Sequence, residues 1–446
     1  MKLTFLTTLL FAPLASLHAT AVKPSLVRIG NWTESWPGAS GQSQSREVRG
    51  EIWNEAIQAV LDKNNSVHLP KCGQPYYLDG PIVLKSGQKL TADLDAEIRL
   101  KPGTNTCMVR NEHVVGFADK PVPEESTPDT DITIEGGIWT TLATGVKDSN
   151  GNQRGASSKK DSVPGTHGVI LLQNVRQVVV RNFTVRQSRA FAVHLANAIG
   201  FTVDGVTLDR HGRDGVHVNG PASEGLIRRI SGVSHDDTVA LNAWEWKNYA
   251  PSFGAIHHIV IENVRGAPDG VASADSIRLL PGVKRFSDGS TLDCPIHDIT
   301  LREITDVRDF KLYDQPNLEV GRDNDASIGI GSLKNIVFES LTFNRPGSIQ
   351  VHSNADGLVV RGVTLNFPLP ADYHLIELGP KSQTYKRKPD DPATWTEIFS
   401  PDLDCTVRNL AFTGRSPSRF AERFAHRASG QSHQAVAQPR LPKDHS

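Results

Sequence analysis

Three aspartates in the middle of the chain have the residue type and spacing for acid–base chemistry. Asp214 sits in His211-Gly-Arg-Asp214-Gly-Val-His217-Val-Asn219. Asp236 and Asp237 lie in His235-Asp236-Asp237-Thr-Val-Ala-Leu-Asn242, followed by Ala243-Trp244-Glu245-Trp246. Carboxyl groups a few ångströms apart raise one another's pKa, so one can stay protonated near neutral pH while its neighbours are ionised. A protonated carboxyl beside a carboxylate is what hydrolysis of a glycosidic bond needs: the acid protonates the leaving oxygen and the base activates water. Taken singly, each Asp reads more simply as a turn residue. Together, accompanied by His217, His235, Asn242, Trp244 and Trp246, they read as a site. The two imidazoles could orient a carboxylate or bind a hydroxyl. Trp244, Trp246 and Tyr249 could stack on sugar rings, or the two tryptophans could share burial in the core. Asp275, three residues before Arg278, could orient that guanidinium.

A repeat supplies the scaffold that could bring these residues together. Val178-Val-Val-Arg-Asn-Phe-Thr184 is echoed by Phe201-Thr-Val-Asp-Gly-Val-Thr207, and again at 259–264, 299–304, 336–341 and 358–363. Thr184 and Thr207 are 23 residues apart, Leu341 and Val363 are 22 apart, and no helical pattern intervenes. A period of roughly 20–25 residues without a helix implies a β-solenoid, whose coils bury their faces against one another. The regular leucine and asparagine ladder of a leucine-rich repeat is absent. Asp214 and Asp236 are 22 residues apart, so one coil would place them about one inter-strand spacing, about 4.8 Å, from each other. Before the first coil, the apolar spacing predicts an amphipathic helix over 47–61 that would cap the open end. Short strands should follow at 67–69, 76–78, 82–84 and 97–100. Two irregular stretches, 141–166 and 268–295, read as insertions able to wall a binding site.

The two acidic motifs resemble the paired motifs of the polygalacturonase-type glycoside hydrolases of right-handed parallel β-helix fold. Those motifs read Asn-Thr-Asp-Gly and Gln-Asp-Asp-x-Val-Ala-Ile-Asn, against Asp214-Gly-Val and Asp236-Asp237-Thr-Val-Ala-Leu-Asn here. The likeness runs from the capping helix through Ile134-Glu-Gly-Gly137 to the last coils. It implies an all-β right-handed parallel β-helix with an N-terminal capping α-helix. It further implies an inverting mechanism with Asp237 as general acid and Asp214 and Asp236 activating the water. The chain departs from the family pattern at several points. Gly212 stands where the family has Asn, His235 stands for its Gln, and no Gly-His-Gly follows the Asp pair. The Arg-Ile-Lys that grips a substrate carboxylate survives only as Ile277-Arg278-Leu279. With Arg278 but no Lys, the pattern predicts a preference for neutral or partly neutral glycans over polygalacturonate.

Composition excludes other classes. With 48 Lys and Arg against 49 Asp and Glu among 446 residues, there is no electrostatic footprint for nucleic acid or an anionic membrane. Met1-Lys2, the apolar run 3–17 and Ala19-Thr-Ala21 fit a secretory signal peptide, so 22–414 should be one exported β-helix domain. Residues 415–446 are polar, carry a net charge of +4 and read as a disordered tail. Setting aside the tail and Lys2 leaves −6 on the body. In an exported protein the four cysteines suggest up to two disulfides, of three possible connectivities Cys72 with Cys107 and Cys294 with Cys405, or else free buried thiols. We expect a monomer acting on a polysaccharide or oligosaccharide, without cofactor or metal. Two alternatives stay open: a polysaccharide lyase on the same fold, using calcium or Arg/Lys assistance, and a non-catalytic carbohydrate-binding solenoid.

Overall fold

Val67, Leu90, Ile134, Val180, Val203 and Ile227 stand one above the other, each in parallel register with the next. The column continues through Ile261, Leu301, Phe338 and Val360. Every one of these side chains is buried. The expected repeat strands are thus successive rungs, and 225–231 is a further rung between the second and third copies. Alternation at period two puts one side of each rung inside the coil, where it meets only the coils above and below. The polar pair within each repeat is the bend. Its second member is Asn182, Gly205, Arg229, Asn263, Glu303, Ser340 or Gly362, each at positive φ. A left-handed residue turns the strand without breaking the ladder, which explains the recurrence of Asn and Gly there.

The computed structural model describes residues 26–378 except 38–42, 103, 105, 115–119, 125, 142–167, 189, 246–249, 268–274, 313–330 and 371–372. It also describes the strands Gln383–Lys386, Trp395–Ile398, Val407–Arg408 and Ala411–Thr413. The leader 1–21, the tail 415–446, most of the first insertion, Trp246, Tyr249 and Cys405 lie outside the described residues. Within them, a sheet of 25 strands winds into a right-handed parallel β-helix with one α-helix at its N-terminal end.

That helix is Asn54–Asn64, not 47–61. Residues Ser43–Ile52 instead form a strand antiparallel to Arg28–Pro37. Val48 and Ile52 are four residues apart, a spacing that satisfies both a helical face and one face of a strand. The hairpin pairing decided between them, with Trp32 packing edge-on against Tyr77 at 4.6 Å. The helix buries Ala56, Ile57, Val60 and Leu61, the last three of which join the same apolar core as Val67 and Leu69, and it ends at Asn65 with φ 56°. It therefore covers the first coil as expected. The second insertion is also less irregular than its sequence. Ser276–Leu280 is a rung of the helix, and Gly282–Arg285 with Thr291–Cys294 is an antiparallel hairpin.

The disulfide expectation is corrected. Cys72 is an exposed thiol that donates to the Gln74 carbonyl at 2.7 Å, whereas Cys107 is buried, and no bond joins them. Cys294 is a buried thiol directed at the Leu292 carbonyl, and burial pushes its pKa up to about 12. The stacking of coils, without a bridge among these three, carries the core.

Candidate active site

Four successive rungs build the site: Val216–Ser234, Asp237–Asn242, Ser276–Leu280 and Asp309–Leu312. Their inward column is Val216, Val239, Ile277 and Phe310; the neighbouring outward column is His217, Ala240, Arg278 and Lys311. The offset between the first two rungs is 23 residues, so Asp214 lies under Asp237, whose backbone N–H donates to Asp214 Oδ1 at 3.4 Å. Asp236 falls beside this stack, held in its turn by Ser234, whose hydroxyl accepts from the Asp236 N–H at 3.3 Å. The three carboxyl groups come within 4.8 Å of one another, as the sequence spacing implied.

Their surroundings differ. Asp214 is 4% exposed and accepts from His217 Nδ1 at 2.6 Å. Burial opposes its ionisation, but the bond to His217 and the charges of His217, Arg213 and Arg278 outweigh it and hold the carboxyl well below the usual range. Asp237 is 2% exposed. Its Oδ1 accepts from Ser276 Oγ at 2.5 Å and Lys311 Nζ at 3.0 Å, and its Oδ2 pairs with Arg278 Nε at 2.9 Å. Two donors and the Arg278 cation converging on it suit an acceptor, not a proton donor. Asp236 has the most accessible side chain of the three, at 29%, and pairs with Arg213 Nη1 at 2.9 Å. Burial of its carboxyl, then the charges of Asp214 and Asp237, push it up to about 7 against the opposing pull of Arg213 and Arg278. The assignment of Asp237 as the acid therefore does not fit its contacts.

The remaining expected residues divide. Arg278 faces the site. His235 is exposed on the same turn as Asp236. His217 is 1% exposed, too deep to touch a sugar, and bridges Asp214 and Glu245. Asn242 is buried beside Asn219, to whose side chain it offers its carbonyl oxygen. Trp244 is fully buried in the core, so it is not a stacking platform. Asp275 does not orient Arg278: it accepts from Thr238 Oγ1 at 2.9 Å and from the Ala267 N–H at 2.7 Å. Sequence reasoning missed Lys311, Glu245, Arg213 and Ser276. Lys311 is one rung beyond Arg278, but the second insertion stretches that coil to 33 residues and hides it from a 22-residue period. Arg213 adjoins Asp214 and could have been flagged from that alone.

The three Asp oxygens form a group that could hold a hard cation such as calcium. Each carboxyl already has a cationic side chain against it, however, and an ion would have to displace Arg213, His217, Arg278 or Lys311. The donor set does not fit a resident metal.

Buried charge makes stability pH-dependent. His217 is pushed up to about 9: burial opposes the charge, but Glu245 and Asp214 overcome it. Its contribution is complete below its ordinary value of 6.5 and is lost as pH rises through about 9. Asp236, raised to about 7, adds a fall between its ordinary 3.8 and about 7. Burial lowers His194 to about 3 and His211 to about 4, which weakens the fold as pH drops below 6.5. The thermal midpoint should therefore decline between pH 7 and 9.5, and His217→Gln should flatten that decline. A midpoint level across this range in the parent protein would contradict the buried imidazolium.

No family model matches the chain, and no curated protein matches it. Among solved structures, it is similar to the polygalacturonase of Erwinia carotovora ssp. carotovora (13% identity, 73% of this chain and 94% of that one, TM-score 0.45). It is also similar to the family 28 exopolygalacturonase of Yersinia enterocolitica (13% identity, 76% and 81%, TM-score 0.38). A surface adhesin of Streptococcus pneumoniae aligns over 82% of this chain and 96% of its own, at 12% identity and TM-score 0.37. The likeness is one of fold. What the site does must be argued from its own residues.

Proposed function

We propose that the protein hydrolyses glycosidic bonds, with Asp236 as general acid and the buried pair Asp214 and Asp237 activating the water. The observation that carries this reading is the contrast among three neighbouring carboxyls. The most accessible one, Asp236, is pushed toward keeping its proton near neutral pH, whereas the two more deeply buried ones are held by short contacts to His217, Arg278 and Lys311. Protonation of the leaving oxygen by Asp236 would leave a carboxylate already facing Arg213 at 2.9 Å, so the developing charge meets a cation in place. Asp214 and Asp237 are too buried for a sugar carbon to come within bonding distance, which leaves the smaller water as the nucleophile they could activate. That supports attack by water and inversion at the anomeric carbon, although the carboxyls stand closer than the ~6.5–9.5 Å usual for an inverting pair. The anomer first released, read by proton NMR, tests the stereochemistry.

The same geometry changes the expected substrate. The lysine absent from the sequence motif is supplied in space by Lys311, stacked one rung from Arg278. Lys311 uses one of its three donors on Asp237. With Asp236 protonated, Arg213, His217, Arg278 and Lys311 face Asp214, Asp237 and Glu245. This patch of net positive charge sits on an acidic body, which favours a glycan that carries carboxylates. We expect polyuronates to be turned over faster than neutral glycans, reversing the sequence-based preference. Lys311→Met should lower kcat/KM on the polyuronate by about 10–100-fold, the worth of one charge-assisted bond, and change a neutral glycan much less. An equal loss on both would remove Lys311 from substrate recognition.

Release of new reducing ends across a glycan panel, with and without chelator, tests the reaction class. Hydrolysis predicts reducing ends without an ultraviolet-absorbing unsaturated product and without chelator sensitivity. Elimination would give that product, and binding without turnover would leave a carbohydrate-binding solenoid.

A further inference from the structure

The hydrolase reading needs one of two adjacent carboxyls to hold a proton and the other to lose it. Burial alone sends the proton to the wrong one, because Asp214 is 4% exposed while the Asp236 side chain is 29% exposed. Something beneath the three carboxyls must reverse that preference. His217 lies under Asp214 with both ring nitrogens engaged, Nδ1 to Asp214 Oδ2 at 2.6 Å and Nε2 to Glu245 Oε2 at 2.9 Å. Carboxylate oxygens accept hydrogen bonds and do not donate them, so a ring bonded at both nitrogens to carboxylates is in its doubly protonated, cationic form. The ring is also fixed in place. It stacks on Phe191 with centroids 4.0 Å apart and planes within 2°, and the edge of His194 closes a further side at 5.1 Å. Asn219 Nδ2 donates to Glu245 Oε2 at 3.1 Å, while its Oδ1 pairs with His194 Nε2 at 2.7 Å.

We propose that Glu245 and His217 are positioning residues that form a charge clamp beneath Asp214: Glu245 keeps His217 cationic, and His217 keeps Asp214 ionised so that Asp236 retains the proton. The inference rests on the hydrolase reading for its purpose, but the clamp itself is a property of three buried side chains. The charged groups facing Asp214 are His217, Arg213, Arg278, Asp236 and Asp237; those facing His217 are Asp214, Glu245 and His194. Of these, His217 makes the short bond to Asp214, and Glu245 is the partner that His217 does not share with the other two aspartates. His194 is held neutral by its burial and takes no part in the charge balance.

The experiment uses the full chain with 13Cε1-labelled histidine, and the variants Glu245→Gln and His217→Gln. In the parent protein the His217 resonance should titrate near pH 9, and Glu245→Gln, which is isosteric, should bring that midpoint down toward the ordinary imidazole range. For activity, His217→Gln should move the acidic limb of the kcat/KM profile upward by about two pH units, since a buried carboxylate would lose its cation. KM should change little, and Glu245→Gln should act in the same direction by less. A merely structural role would lower activity by the same factor at every pH. A His217 midpoint at the ordinary value, or one unmoved in Glu245→Gln, would overturn the clamp, as would a pH-independent loss of rate. If the parent protein releases no reducing ends, the hydrolase reading fails while the NMR titration still decides the clamp. If His217→Gln does not fold, Glu245→Gln carries both readouts.

Discussion

Asp236→Asn should lower kcat/KM on natural glycans by about 10²–10⁴-fold, the usual contribution of a positioned general acid. Asn has the size of Asp but no proton to give at working pH. The fold should be unharmed, because Asn matches protonated Asp in size and charge and, above pH about 7, removes one of three like charges packed within 4.8 Å, so the thermal midpoint should hold or rise. In the parent protein the rate should fall as pH rises through about 7, where Asp236 would lose its proton. Aryl glycosides whose leaving group departs without a proton separate the roles. They should recover much of the rate in Asp236→Asn, and little in Asp214→Asn or Asp237→Asn, where activation of the water is lost. Turnover unchanged in Asp236→Asn, or an equal loss on activated and natural substrates, would end the assignment of Asp236 as acid.

Trp244→Ala should cost about 3–5 kcal/mol of stability, since the site cannot collapse around so large a loss. Trp244 is fully buried, and Gly282 lies so close that a Cβ there would meet the Trp244 Cβ and Cγ at 2.8 Å. The hairpin 282–294 is thus packed onto the indole with no slack, and Trp244→Phe should cost less than Trp244→Ala. The measurement is the denaturant midpoint at unchanged slope, together with KM for a glycan. A large rise in KM with stability intact would make Trp244 a sugar platform after all.

The coils were legible in the sequence because a solenoid writes its contacts into a period. Val180, Val203 and Ile227 touch because they stand 23 and 24 residues apart, and nothing else in the chain has to be known. The three aspartates were legible for the same reason, being one coil apart with no insertion between them. The 47–61 helix was misplaced because a four-residue apolar spacing is ambiguous until a pairing strand resolves it. Trp244 was ambiguous for a related reason: alternation says that a side chain leaves the backbone on one side, not whether another segment covers it.

The sequence by itself determined the parallel β-helix and the gathering of Asp214, Asp236 and Asp237, since both follow from spacing along an unbroken repeat. Only the tertiary structure decided which cations attend each carboxyl and how deeply each is buried, on which the proposed placement of the proton rests. Protonation depends on burial and on charges within a few ångströms, here those of Arg213, Arg278 and His217, the last held by Glu245, which a bend after its strand brings beneath Asp214.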